Sequence, residues 1–176
     1  MIKLLKGDCL EIMKSITDKS IDAIITDPPY GTTACKWDSI IPFNLMWEQL
    51  NRIIKDNGAI VLFGSEPFSS ALRMSNIKNY KYDWIWNKNQ PSGQFNALKM
   101  PMKAYETVSV FYKNQPTYNP KMVERTEKEL KRLSHKSVDG ISKNTIYGDI
   151  NRKSLNRYEN KNKYPTNVFS IEVKKR

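Results

Sequence analysis

The chain has 176 residues, 39% of them hydrophobic, enough for one domain with a real core. Its apolar runs, such as AIVLF, are far shorter than the roughly 20 residues of a membrane-spanning helix, and Cys9 and Cys35 form no CxxC pair, which excludes a disulfide framework and points to a reduced, cytoplasmic protein. The formal charge is +11, but residues 1–113 carry 14 basic and 11 acidic groups against 15 and 7 in residues 114–176, so the excess sits in the last third and suggests a polyanion, nucleic acid first.

In chain order, IKLLK opens as a short strand candidate and mixes charge with apolar residues, unlike a signal peptide. Asp8 stands where it can cap a helix in GDCLEIMKSI, whose Leu10, Ile12, Met13 and Ile16 recur at about helical spacing. IDAIIT, residues 21–26, is a near-continuous apolar run of the kind buried on both faces of a sheet. PFNLMWEQLNRIIKDNG predicts a helix with Phe43, Met46, Trp47, Leu50, Ile53 and Ile54 on one side, closed by Asn57-Gly58. AIVLFG predicts a second buried strand. SEPFSSALRMS predicts a helix with Ser65 as N-cap and Pro67 in the first turn. YKYDWIWNK and TVSVFYK add two strands, and the alternation of elements predicts an α/β layered fold with a largely parallel sheet.

After Lys113 the texture changes to Asn, Lys, Ser and Tyr, with one predicted helix in VERTEKELKRL. The expected division is a first part over 1–113 and a basic, partly irregular part over 114–176. Elimination narrows the chemistry. The single histidine, His135, lies in the polar tail, which disfavours a histidine triad or a metal centre, and GxGxxG and P-loop patterns are absent. What stands out is DPPY, residues 27–30, directly after the apolar run. Two prolines stop the strand and stiffen the loop, so Asp27 and Tyr30 are expected to project from the carboxyl end of a strand, where open α/β sheets place their ligands.

DPPY after a hydrophobic strand resembles the catalytic motif of the DNA amino-methyltransferases, which methylate adenine N6 or cytosine N4. GDCLEIMKSI…SIDAIITDPPYG, KWD, NGAIVLFGSEPF, DWIWNK, YETVSVFYK, TYNPKM and YPTNVFS resemble successive blocks of the branch in which the catalytic motif precedes the cofactor motif. The resemblance implies an incomplete Rossmann-like methyltransferase sheet with helices on both faces, followed by a target-recognition region. It implies S-adenosylmethionine as cofactor, double-stranded DNA as partner, restriction-modification as setting, and adenine N6 ahead of cytosine N4 because the motif starts with Asp. Asp27 and the Pro28 carbonyl match two acceptors that take the N–H hydrogens of the amine and aim its lone pair at a methyl donor. Pro29 helps to fix their geometry in advance, and Tyr30 matches the aromatic that stacks on a flipped-out base.

Other positions carry two readings. Asp8 resembles the family's acid near the cofactor, or is a helix cap. Phe63, Gly64 and Ser65 line the cofactor pocket or simply pack. Trp84, Trp86 and Lys88 contact base and phosphate, or the tryptophans share a core-facing side. Tyr118 and Lys121, with Tyr147, Tyr158 and Tyr164, stack on and contact nucleic acid, or anchor a polar segment. The family's Gly-rich cofactor turn has no counterpart, since the seven glycines include no GxG. The expectation is therefore half of a methyltransferase, with IDAIIT as an open apolar edge that a second polypeptide or a homo-oligomer completes; the rival is a non-catalytic DNA-binding remnant.

Overall fold

The structure is a computed structural model and describes residues 2–133, 141–144, 148–151 and 161–171. Two compact units emerge: residues 1–117 with 167–176, and residues 118–166. The first begins with α1 (Cys9–Lys14), β1 (Ile21–Thr26), α2 (Phe43–Ile53), β2 (Ile54–Gly64), α3 (Phe68–Ser75), β3 (Tyr80–Ser92) and β4 (Lys103–Phe111). The second contains β5 (Val123–Glu124), α4 (Glu127–Leu133), β6 (Ile141–Asn144), β7 (Gly148–Asn151) and β8 (Asn162–Lys163), and the chain returns to the first through β9 (Val168–Ser170).

The main sheet has the order β1-β2-β4-β3-β9. β1 runs parallel to β2, β4 is antiparallel to both β2 and β3, and β9 is parallel to β3. The sheet is thus mixed rather than largely parallel. The physical reason is the β3–β4 hairpin, whose short connection forces an antiparallel pair, and the insertion of β4 between β2 and β3. Asn167 reinforces β9: its carbonyl accepts from the Ile85 N–H at 2.7 Å and its side-chain amide donates to the Asp83 carbonyl at 3.1 Å.

The core forms where α2 and α3 meet β2 and β4. Met46, Trp47 and Leu50, Ile60 and Leu62, Phe68 and Leu72, and Phe111 make one buried cluster. Phe111 is fully buried, with its ring 4.8 Å from Trp47 and 5.8 Å from Tyr80 between centroids. Arg52 on α2 ties down the turn after α1: its guanidinium donates to the Met13 carbonyl at 2.6 Å and the Ile16 carbonyl at 2.8 Å, and pairs with Asp18. This cation adds donors to carbonyls at and just beyond the end of α1.

Four local expectations change. IKLLK is not a strand: Ile2 and Leu4 are about 90% exposed, and no neighbouring strand among the described residues offers the hydrogen bonds that would fix it. β1 is not buried on both faces, because it lies at the sheet edge and Ile25 is 69% exposed. Asn57-Gly58 does not close α2, which passes directly into β2 at Ile54. A register shift between β1 and β2 takes up the extra residues there, and a side chain at Gly58 would meet the Asp22 carbonyl at 2.8 Å. In α3 the expected cap shifts as well: Pro67 is the N-cap, and Glu66 rather than Ser65 supplies a side-chain acceptor, to the Ser70 N–H at 3.2 Å.

Because the fully buried Phe111 of β4 packs on Trp47 of α2 and Tyr80 of β3, Phe111→Ala is expected to lower the stability of the first unit by about 3–5 kcal/mol, read as a fall in the urea midpoint without a change of slope.

Candidate active site

The last residue of β1, Thr26, lies beside Leu62 of the parallel β2, so the segments after both strands leave the sheet at the same end. The strand stops where Pro28 and Pro29 remove two N–H donors. Pro28 is buried, Pro29 and Tyr30 are half-buried, and Asp27 is exposed. Gly31 follows with φ +66°, the left-handed region, and a side chain there would also meet Ile40 at 3.0 Å.

A residue outside DPPY fixes this loop. Asp38 is 8% exposed and accepts four consecutive backbone N–H groups: Tyr30 at 2.8 Å and Gly31 at 2.9 Å on Oδ1, Thr32 at 2.9 Å and Thr33 at 2.7 Å on Oδ2. Successive N–H groups that converge on one anion form a concave nest. The Thr33 side chain, with the N–H groups of Gly31, Thr33 and Thr32, holds the Asp38 carboxyl down at about 2 against the opposing effect of burial.

Tyr30 is held at three points. Its N–H goes to Asp38, its ring packs on Phe68 of the core at 5.1 Å between centroids, and its hydroxyl donates to Asp27 Oδ1. Burial, then the Asp27 hydrogen bond and charge, then Glu106 push its phenol well above the ordinary tyrosine value. Before the site is loaded, therefore, a phenol proton occupies one of the acceptor positions of Asp27. In front of the loop lies a cavity of about 310 Å³, lined by the Asp27–Tyr30 loop, Thr32, Thr33, Trp37 and Asp38. Another cavity of about 280 Å³, with Lys19, Lys55, Lys78 and Lys113 in its lining, holds none of the loop residues.

The other predicted residues scatter. Phe63, Gly64 and Ser65 sit where β2 leaves the sheet at the same end as Asp27. The Phe63 ring meets Trp86 edge-on at 6.5 Å, and a side chain at Gly64 would overlap Ser69 Oγ at 2.5 Å, so both have packing duties. Asp8 caps α1 by accepting from the Leu10 N–H at 2.8 Å. Lys88 is paired with Glu106 at 2.7 Å and lies 6.0 Å from the Trp86 ring centre. Trp84 packs edge-on between Tyr82 and Phe169. Tyr118 and Lys121 are exposed in the second unit, as is Tyr164. Tyr147, Tyr158 and His135 lie outside the described residues. Sequence reading missed the parts played by Asp38 and Trp37; the signal available was the KWD block, an acid and an aromatic a few residues beyond DPPY.

The loop thus sets an exposed carboxylate beside a tyrosine, in front of a cavity at the carboxyl end of a parallel strand pair, where α/β sheets hold their ligands. The chain belongs to the DNA methylase family of N6/N4 type, whose model matches residues 21–175. Among curated relatives, the type II methyltransferase M.HinfI of Haemophilus influenzae is 30% identical over 157 residues, covering 72% of this chain and 43% of that protein. M1.MboII of Moraxella bovis is 27% identical over 155 residues, covering 81% and 58%. This chain therefore spans about half the length of the curated relatives it matches. Among solved structures, the M1.HpyAVI–SAM complex has a TM-score of 0.52 at 25% identity, over 72% of this chain and 62% of that one. The cytosine-N4-specific PvuII methyltransferase has a TM-score of 0.54 at 16% identity, over 97% and 57%, a likeness of fold.

The Asp38 nest gives a pH prediction. Its native carboxyl is depressed from 3.8 to about 2, so its stabilisation is complete above about pH 4 and lost as pH falls through about 2. In NMR titration the amide signals of Tyr30, Gly31, Thr32 and Thr33 are expected to move together near that lower value. Asp38→Asn is expected to abolish the titration and speed hydrogen exchange of these amides roughly tenfold or more.

Proposed function

We propose that this chain is the catalytic half of a site-specific DNA methyltransferase that acts on the exocyclic N6 of adenine in a base swung out of the duplex. The observation that carries the reading is the cavity of about 310 Å³ in front of an exposed Asp27 on the rigid loop. Adenine N6 is a weak nucleophile because its lone pair is delocalised into the ring. Asp27 and the Pro28 carbonyl accept its two hydrogens, concentrate electron density on nitrogen and orient the lone pair. Because the loop is fixed beforehand by the prolines and by Asp38, the acceptors need not reorganise during reaction. The Tyr30 hydroxyl leaves Asp27 as the amine arrives, one hydrogen bond replacing another. Tyr30, already supported by Phe68, offers a stacking surface. Cytosine N4 presents the same pair of hydrogens and is the second reading, since the family model spans both N6 and N4 enzymes.

The methyl donor in this reading is S-adenosylmethionine, which supplies an activated methyl group when bound. We assign Phe63 and Ser65, at the end of β2 nearest Asp27, to one side of its site. Glycine turns of the kind that cradle such a cofactor are absent from the sequence, and Gly64 is engaged in packing, so the residues present do not complete a site. We therefore assign the cofactor site to a complementary half that pairs with β1. What supports this is the outer edge of β1, unpaired among the described residues, with Ile25 69% exposed beside it. The second unit and its basic residues, with Tyr118 and Lys121, are assigned to the DNA target.

Three outcomes test this. In cells carrying the gene with its neighbours, Asp27→Ala is expected to reduce adenine methylation by at least about 10²-fold, measured by modified-base sequencing; unchanged methylation would end the enzymatic reading. The purified chain alone is expected to show no saturable S-adenosylmethionine binding in calorimetry at micromolar concentration, and tight binding would return the cofactor site to this chain. Placing a charge on the sheet edge, Ile25→Lys, is expected to abolish both assembly with the complementary half and methylation while leaving the circular dichroism spectrum of the chain unchanged.

A further inference from the structure

We propose that Trp37 is the second aromatic wall of the base site, opposing the surface provided by Tyr30, and that Asp38 is the positioning residue that presents it. The inference rests on the assignment of the Asp27 cavity to a flipped base, and it goes beyond DPPY.

Trp37 lines that cavity and yet is 74% exposed. A tryptophan usually hides 150–250 Å² of surface, on the order of the largest contribution any side chain makes. Among the described residues its ring has no aromatic neighbour and its indole N–H no acceptor. Its counterpart across the loop differs in each respect: the Tyr30 ring is seated on Phe68 and its hydroxyl is bonded to Asp27. The cavity thus has one aromatic anchored to the core and one held out in solvent.

Trp37 stands there because of its neighbour. Asp38 collects the N–H groups of residues 30–33, and its own N–H donates to the Cys35 carbonyl at 3.0 Å. Those bonds fold the chain back on itself, so residue 37 returns to the mouth of the site that residue 30 enters. A planar base between two such surfaces would remove the exposed indole from water. Every base has a π-face, so this wall adds affinity without choosing between adenine and cytosine; the choice stays with the acceptors at Asp27 and Pro28.

The test uses the full chain and two short thymidine strands, one with a central adenine and one with an abasic residue in its place, followed by fluorescence anisotropy and by quenching of tryptophan emission. The parent is expected to prefer the adenine strand. Trp37→Ala is expected to lose roughly 5- to 150-fold of that preference, the fold-change of one lost stacking contact, with abasic binding unchanged, and Trp37→Phe to keep most of it. Asp38→Asn is expected to lose at least that share in the parent background, because it frees Tyr30 as well, and to lose markedly less when Trp37→Ala is already present; fully additive losses would show that Asp38 does not present Trp37. If Trp37→Ala keeps the adenine preference within about twofold, the wall is refuted while the base cavity stands. If the parent binds both strands alike, the cavity assignment falls and the inference with it.

Discussion

The site depends on one carboxylate meeting four amides. A loop of two prolines and a left-handed glycine has few ways to satisfy its own backbone, since prolines contribute no donors and the turn points its remaining N–H groups to one side. Asp38 lies at their focus and accepts all four at 2.7–2.9 Å. Without an anion there, these donors would turn to water and the loop would sample several shapes. With it, Asp27, the Pro28 carbonyl and Tyr30 are held in one arrangement before a ligand arrives. The two acids therefore divide the work. Asp38 is nearly buried and saturated with donors, whereas Asp27 is exposed and accepts one hydrogen bond from Tyr30.

The sheet shows the same economy. β2 and β4 at its centre are covered by α2 and α3, and the fully buried Phe111 joins helices to strands. β1 carries the site but is an edge strand, with Ile25 facing solvent. A strand edge with apolar flanks is an unstable arrangement in water unless something pairs with it. The exposed Ile2 and Leu4 share the condition: an apolar segment with no ladder to join among the described residues. Local sequence gives these residues a strand pattern, and only a neighbour turns a pattern into a strand.

The legible part of the site was the part written contiguously. DPPY could be read because strand, proline stop, acid and aromatic lie within ten residues, and each step follows from local backbone chemistry. The helix cap at Asp8 and the apolar stripe of α2 were local in the same sense and appear as expected. Asp38 and Trp37 were visible only as letters in KWD. No propensity says that an acid eight residues away will gather the amides of Tyr30 and its successors; that needs the loop closed in three dimensions. Lys88 shows a further limit of local reading. Its charge suggested phosphate, but β3 and β4 align it with Glu106, and the pairing exists only across strands.

What the sequence determined by itself was the set of elements in the core region, the position of the proline-stiffened acid at a strand end, the absence of a glycine cofactor turn, and the family to which these belong. Each rests on neighbours in the chain, within the range over which backbone sterics and side-chain periodicity act. The tertiary structure decided the mixed order of the sheet, the edge position of β1, the attachment of Tyr30 to both Phe68 and Asp27, and the cavity between the loop and Trp37. Those features arise from contacts between segments distant along the chain, where packing and the need to satisfy every buried donor choose among arrangements that local preference leaves equal.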